Sequence, residues 1–270
     1  MTGATEPHRT SSVFATILRG AAPLAQAGLR RLNPAEITTK SARDYQTEAD
    51  RAVERAIVRD LAEAFPHHRI EGEEFGAAGA VDLDAPLLLI DPIDGTTNFA
   101  WGIPHFGMVI TLWDGGRVIA GAVLDPMLDE MFTADLGQGA FLNGIALRVA
   151  PAPLPEAALI GAGLPVPGQV VSVTPAAYAS ALDRAMSVTS GVRRLGSAAL
   201  SIAYVAAGRF DGFFEDGLGR GDFGASALMV TEAGGVVTDF SGAPVSPRCG
   251  IIAGSPGIHR WLFQGLVSAA

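Results

Sequence analysis

The string Asp91-Pro92-Ile93-Asp94-Gly95-Thr96-Thr97-Asn98-Phe99 follows the apolar run Leu87–Ile90. Leu87–Ile90 predicts a buried strand, which brings Asp91 out at its carboxyl end, where open α/β sheets place their ligands. Pro92 stiffens the turn, and Asp94 returns towards the same side three residues on. Gly95 permits an unusual backbone angle, or close approach by a ligand, before a helix start whose N–H groups face a bound anion. Two carboxylates beside such a start can hold a cation and a phosphate next to each other. Asp-Gly alone would be read as an ordinary turn; the whole string reads as a site. It is not an EF-hand, because its acids do not alternate and no glutamate closes the loop.

Two further acidic positions are ambiguous when read separately. Glu71-Gly72-Glu73-Glu74-Phe75-Gly76 reads either as a solvated loop or as a ligand source. Gly221-Asp222-Phe223-Gly224-Ala225 opens an Ala/Gly-rich helix, where Asp222 reads as an N-cap or as a ligand.

The elements that must position these residues fall into two groups. Ser11 or Ser12 caps a predicted helix to about Arg31. Ile37–Ser41 and Arg43–Tyr45 read as two short strands or a mobile hairpin, and Thr47 as the cap of a helix with an apolar stripe from Ala49 to Phe65. Strands are predicted at Arg69–Glu71, Leu87–Asp91, Met108–Trp113, Arg117–Leu124, Glu130–Ala134 and Ala140–Leu142. Asp114-Gly115-Gly116 forms a hairpin turn. The Pro-rich stretch Ala150–Pro155 divides the chain into an α+β half over 8–150, carrying most of the acids, and an α/β half over 151–270. In the second half, strands at Ala158–Ala162, Phe210–Glu215 and Val236–Asp239 alternate with helices at about Pro175–Met186, Ala198–Ala207, Phe223–Ala233 and Pro256–Val267.

Composition narrows the function. Charged residues are 17%, which rules out a disordered chain, and the net charge is −9 with 19 basic residues that form no run. Nucleic acid is therefore not expected as a partner, since it needs a concentrated basic face. A phosphorylated small molecule is compatible, because carboxylates loaded with divalent cations present a positive surface. Cys249 is the only cysteine, which excludes an intrachain disulfide and a cysteine zinc site and fits a cytoplasmic protein. No segment reads as a signal peptide or a membrane span.

The ordered set of motifs resembles the inositol monophosphatase family of lithium-sensitive, metal-dependent sugar phosphatases, from about Lys40 to Gly254. The resemblance is carried by Gly72-Glu73-Glu74, by Asp91–Phe99, and by Asp222 with Glu232-Ala233-Gly234-Gly235. Asp44-x-x-Thr47-x-x-Asp50, Asp125-Pro126, Asp129-Glu130-Met131, Gly139–Gly144 and Gly196-Ser197-Ala198-Ala199 support it. It implies a layered αβαβα sandwich, usually a homodimer, that binds two or three Mg2+ ions per site and hydrolyses small phosphate monoesters. By that resemblance Glu73, Asp91 and the Ile93 carbonyl hold one ion, while Asp91, Asp94 and Asp222 hold the second. Glu73 and the Thr96 hydroxyl orient the attacking water, and Gly95 and Thr96 offer N–H groups to the phosphate. Gly196, Ser197, Ala198 and Glu215 face the alcohol portion, with Ile93, Asp94 and Asp222 also at the substrate. Lys40 and Asp50 match a loop and helix start that close the site and assist a weaker third ion.

The resemblance points to myo-inositol monophosphate as substrate, through the spacing of Glu215 from Asp222. Fructose 1,6-bisphosphate, histidinol phosphate and 3′-phosphoadenosine 5′-phosphate use the same metal kit, and a silent regulatory protein on the same fold is the alternative of a different class. Gly221 stands where the family has tryptophan, so Asp216–Gly221 is expected to be small and flexible and the pocket wall altered. Ser197 has no His/Asp partner pattern, and Gly76–Gly79 has neither the lysine nor the spacing of a P-loop. His67, His68 and His105 read as structural, and Cys249 as a buried small residue.

Overall fold

The computed structural model describes residues 9–29, 37–41, 44–79, 82, 84–151, 154–246 and 249–267, with the side chains of 37–47, 78 and 267 left out. Sequence expectations on residues 1–8, 30–31, 43 and 152–153 lie outside that set.

The fold is α/β, with two mixed sheets and seven helices among the described residues. The first outer layer pairs α1 (Thr10–Leu29) with α2 (Glu48–Ala64). Phe14, Leu18, Val53, Ile57 and Leu61 form their shared apolar face and bury it on the larger sheet. A small hairpin, β1 (Ile37–Ser41) and β2 (Asp44–Thr47), precedes α2. Thr47 ends β2 and directly precedes Glu48, the first residue of α2, so it stands at the N-cap position expected for it.

The larger sheet has eight strands: β3 (Arg69–Gly72), β4 (Gly76–Gly79), β5 (Leu87–Asp94), β6 (Gly107–Asp114), β7 (Arg117–Asp125), β8 (Glu130–Asp135), β9 (Ala140–Leu142) and β10 (Ile145–Ala146). Their order is β10-β9-β8-β7-β6-β5-β3-β4, and only β3 and β5 run parallel. β5 is buried along its whole length. It continues through Pro92 to Asp94, beyond the end predicted at Asp91, because its pairing with β6 shifts register between Asp91 and Asp94. That irregularity absorbs the proline, which donates no ladder hydrogen bond.

The second sheet is ordered β12-β11-β13-β15-β14, from β11 (Leu159–Ala162), β12 (Gly191–Arg193), β13 (Gly212–Leu218), β14 (Val236–Thr238) and β15 (Cys249–Gly254). Between the sheets lie α5 (Ala198–Ala206) and α6 (Arg220–Glu232). Both faces of α5 are apolar, as a helix enclosed by two sheets requires. α6 lies so close to β7 that a Cβ at Gly121 would sit 2.6 Å from that of Ala225. The last layer, α4 (Pro175–Val188) and α7 (Pro256–Val267), packs Tyr178, Ile258 and Leu262 on Ile160, Phe214 and Ile252. The result is the αβαβα layering expected above.

Strands β4, β10, β12 and β15 were not foreseen. The stretch from Asp216 is largely regular structure. β13 runs to Leu218, and the buried Asp216 carboxylate accepts the N–H groups of Val171 (2.9 Å), Ser172 (2.8 Å) and Gly217 (2.8 Å) and the Ser172 hydroxyl (2.7 Å). No described helix is long and apolar enough to cross a membrane.

Candidate active site

The carboxyl end of β5, the amino ends of α5 and α6, and the middle of β13 meet around one cavity of about 190 Å³. Glu73, Asp91, Ile93, Asp94, Gly95, Thr96, Gly196, Ser197, Ala198, Glu215 and Asp222 all line it, so the structure brings together every residue expected there except two. Those two are Lys40, on β1, whose side chain is outside the described set, and Asp50. Asp50 is buried on the first turn of α2, near enough to Asp91 to push its pKa up.

Each side chain has a local cause for its position. Asp91 sits on the all-buried strand and takes the N–H of Ile93 at 3.1 Å. Gly95 then turns left-handed, at φ 102°, into the short helix α3 (Thr96–Ala100). Only glycine adopts that angle cheaply, and the helix start leaves free N–H groups at the cavity. The Thr96 hydroxyl donates to the Ile93 carbonyl at 3.1 Å, which orders both groups.

Asp94 is held by the amino end of α5. It accepts the N–H of Ala199 at 2.8 Å, that of Ala198 at 3.3 Å, and the hydroxyl of Ser197. Ser197 is also the N-cap of α5, taking the Leu200 N–H at 3.2 Å. A residue assigned from the resemblance to the substrate's alcohol is thus committed to an acid of the site. Asp222 is the third residue of α6 rather than its N-cap. Its Oδ2 accepts the Gly219 N–H at 2.7 Å, which aims the carboxylate back past the helix end.

These acids oppose one another's ionisation. Burial raises Asp91 well above the ordinary carboxylate range, with further upward pushes from Glu73, Asp94, Asp222 and Asp50. Burial lifts Asp94 to about 6, against the downward pull of Ser197, Ala199 and Ala198. Asp222 rises to about 7 through burial and the charge of Asp94. Glu215 also rises to about 7, through burial, Asp94 and Asp222. It is no solvated strand-end residue: the Gln169 amide donates to it at 3.2 Å.

A divalent cation would relieve this repulsion, and the donors are hard oxygens of the kind Mg2+ takes. The acids stand around the cavity rather than at one point; among the described residues no three His, Cys, Asp or Glu side chains gather as a single-ion cluster. An ion held here would complete its shell with water, as Mg2+ readily does. The donor set fits Mg2+.

Several contacts of the site carry no signal in the sequence. Asn98 donates to the carbonyls of His105 (2.8 Å) and Leu195 (2.7 Å), tying α3 to the chain just before α5. Gly196, at φ +88°, lies against that amide, 2.8 Å from where its Cβ would be. Gln169 and Ser201 were not picked out, and neither was Arg194, the one basic residue lining the cavity among the described residues. A lone polar residue inside an apolar helix or a loop carries no periodic signal. Gly221, expected to alter the wall, does not line the cavity, and a Cβ there meets nothing within 4 Å. Cys249 is half-buried, its thiol on the Ser246 carbonyl.

Known proteins align with this arrangement over most of their length. The chain is 44% identical over 226 residues to the Nus factor SuhB of Pseudomonas aeruginosa, covering 83% of each protein. It is 40% identical over 232 residues to an inositol-1-monophosphatase of Mesorhizobium japonicum, covering 86% of each. The crystal structure of extragenic suppressor protein suhB from Bartonella henselae superposes with a TM-score of 0.88 at 38% identity, covering 94% of this chain and 97% of that one. The profile of the inositol monophosphatase family matches residues 7–269, and the chain belongs to that family.

Proposed function

We propose that this chain is a Mg2+-dependent phosphoric monoester hydrolase whose substrate is myo-inositol monophosphate. The observation that carries this is the convergence of Glu73 from the turn after β3, Asp91 and Asp94 from β5, and Asp222 from α6 on one cavity that also holds the start of α3. Glu73, Asp91 and the Ile93 carbonyl would hold one ion, and Asp91, Asp94 and Asp222 the other. When bound, the ions would supply charge stabilisation for phosphate and leaving alkoxide and a more acidic attacking water.

The chain's own groups do the rest. Glu73 accepts a proton-side hydrogen bond from the water, and Thr96, its hydroxyl fixed on Ile93, offers its oxygen to the same molecule. The N–H groups of Gly95 and Thr96 bind the phosphate oxygens. Ser197, Ala198 and Ala199 keep Asp94 oriented and favour its charged form. Glu215, steadied by Gln169, accepts the substrate's hydroxyls beside Gly196 and Ala198. Lys40 and Asp50 assist closure and a third, weaker ion. The halves 8–150 and 151–270 contribute opposite walls, and the working form is a cytoplasmic homodimer.

Phosphate release from inositol 1-phosphate, fructose 1,6-bisphosphate, histidinol phosphate and 3′-phosphoadenosine 5′-phosphate, with Mg2+ and with chelator, tests the reading. Turnover of inositol 1-phosphate by the largest kcat/KM, abolished by chelator, is expected. A different favoured ester would overturn the substrate, and no Mg2+-dependent release from any would favour the silent regulator.

A second reading comes from the relatives named Nus factor SuhB, in P. aeruginosa and in Escherichia coli at 40% identity. That name gives no support to the expectation of no nucleic-acid partner. A Nus-factor role independent of hydrolysis is separated by asking whether Asp94→Asn complements a strain lacking such a relative. Complementation by the inactive variant would establish the second role.

A further inference from the structure

Glu54 lies one helical turn after Asp50 on α2, and its side chain is 0% exposed. Its two oxygens accept successive backbone N–H groups: Oε2 that of Glu74 at 2.8 Å, and Oε1 that of Phe75 at 2.9 Å. Those residues immediately follow Glu73 in the turn joining β3 to β4, where Gly72 pairs with Gly76. The fit leaves no room above the carboxylate: a Cβ at Gly72 would stand 1.9 Å from Glu54 Oε1. The glycine before Glu73 is thus explained by Glu54 beneath it.

We propose that Glu54 is a positioning residue, which fixes the backbone of the turn so that the Glu73 carboxylate is presented to the metal cavity. The turn is exposed at Glu73, Phe75 and Gly76, so water could satisfy its N–H groups. A buried carboxylate is therefore not needed merely to close the hairpin. What the buried acid adds is a fixed turn, with two charge-assisted bonds directly behind the ligand. α2 thereby serves the site twice, with Asp50 near Asp91 and Glu54 under Glu73. This assignment rests on the phosphatase reading in taking Glu73 as a metal ligand.

The test is calorimetric titration of Mg2+ into metal-free wild type, Glu54→Gln, Glu54→Ala, Glu73→Gln and the Glu54→Gln/Glu73→Gln double variant, with a thermal melt of each. Glu54→Ala is expected to weaken Mg2+ binding at the tighter site by tenfold or more, and Glu54→Gln by less, since the amide keeps one acceptor. The double variant should bind little worse than Glu73→Gln alone, because both changes act through one ligand. A merely structural role would lower the melting temperature and leave Mg2+ affinity unchanged. If Glu54→Ala does not fold, Glu54→Gln decides. Wild type that binds Mg2+ and a folded Glu54→Gln that binds it equally well would overturn the positioning role alone. Wild type that takes up no Mg2+ would overturn the metal reading, and this role with it.

Discussion

At the scale of single residues, the site is a set of acids kept in an uncomfortable place. Asp94 and Asp222 are lifted to about 6 and about 7 because burial, and after it the charge of neighbouring acids (Glu73 on Asp94, Asp94 and Glu73 on Asp222), penalise their ionised form. Replacing either by asparagine removes that penalty together with a ligand. Asp94→Asn and Asp222→Asn should lower kcat by at least about a hundredfold while leaving a folded protein, read by phosphate release and circular dichroism. Thr96→Ala should reduce kcat more than it raises KM, because the hydroxyl acts on the attacking water; an unchanged kcat would remove it from the mechanism. Asp91 and Asp94 were legible in the sequence because a strand end, a glycine and a threonine accompany them, whereas Glu73 and Asp222 read ambiguously alone and stood out only through the family resemblance. The partners of Glu54, Asn98 and Gln169 were not legible. Each of these three is one polar side chain whose partners lie elsewhere along the chain, and nothing at positions 54, 98 or 169 announces which group it will meet.

At the scale of elements, the site depends on how three ends are joined. Asn98 links α3 to the carbonyls of His105 and Leu195, and Gly196 must be glycine to lie against it. Asn98→Ala leaves both carbonyls without this donor and should cost roughly 1–3 kcal/mol, read as a lowered denaturation midpoint. A larger loss of kcat than of stability would accompany it, since α3 and α5 would no longer hold Gly95 and Asp94 in register. The long elements were readable from periodicity: α2 from its stripe at Val53, Ile57 and Leu61, and β5 from its unbroken apolar run. The strands that were missed fail for identifiable reasons. β4 is Gly76-Ala77-Ala78-Gly79, with no side chains to signal a strand, while β10 and β12 span two and three residues. β15, in contrast, is a central strand with an Ile251-Ile252 core, disguised by the glycines at 250 and 254. Gly250 has its own reason, since a Cβ there would come within 2.4 Å of Phe240.

At the scale of the whole molecule, the acid cluster sets how stability depends on pH and metal. Asp94, Asp222 and Glu215 have folded-state pKa values above their ordinary 3.8, 3.8 and 4.5. Between about pH 4 and pH 7 the folded chain therefore binds more of these protons than the unfolded chain does, and by linkage their contribution to stability falls as pH rises through that window. In chelator, the melting temperature of Asp222→Asn should exceed that of wild type at about pH 8, and the two should converge towards pH 4. A chain of this size moves by roughly 2–4 °C for each kcal/mol relieved. Mg2+ should close the gap by stabilising wild type selectively, because binding to the folded state alone adds to its stability.

Mg2+ uptake is the property from which the rest of the chemistry follows. Calorimetric titration of metal-free wild type at about pH 8, with inorganic phosphate present, should give at least two Mg2+ per chain, and Asp222→Asn should lose one of them. A folded wild type that takes up no Mg2+, or an Asp222→Asn variant whose stoichiometry and affinity match it, would contradict the claim that these distant acids form one metal site.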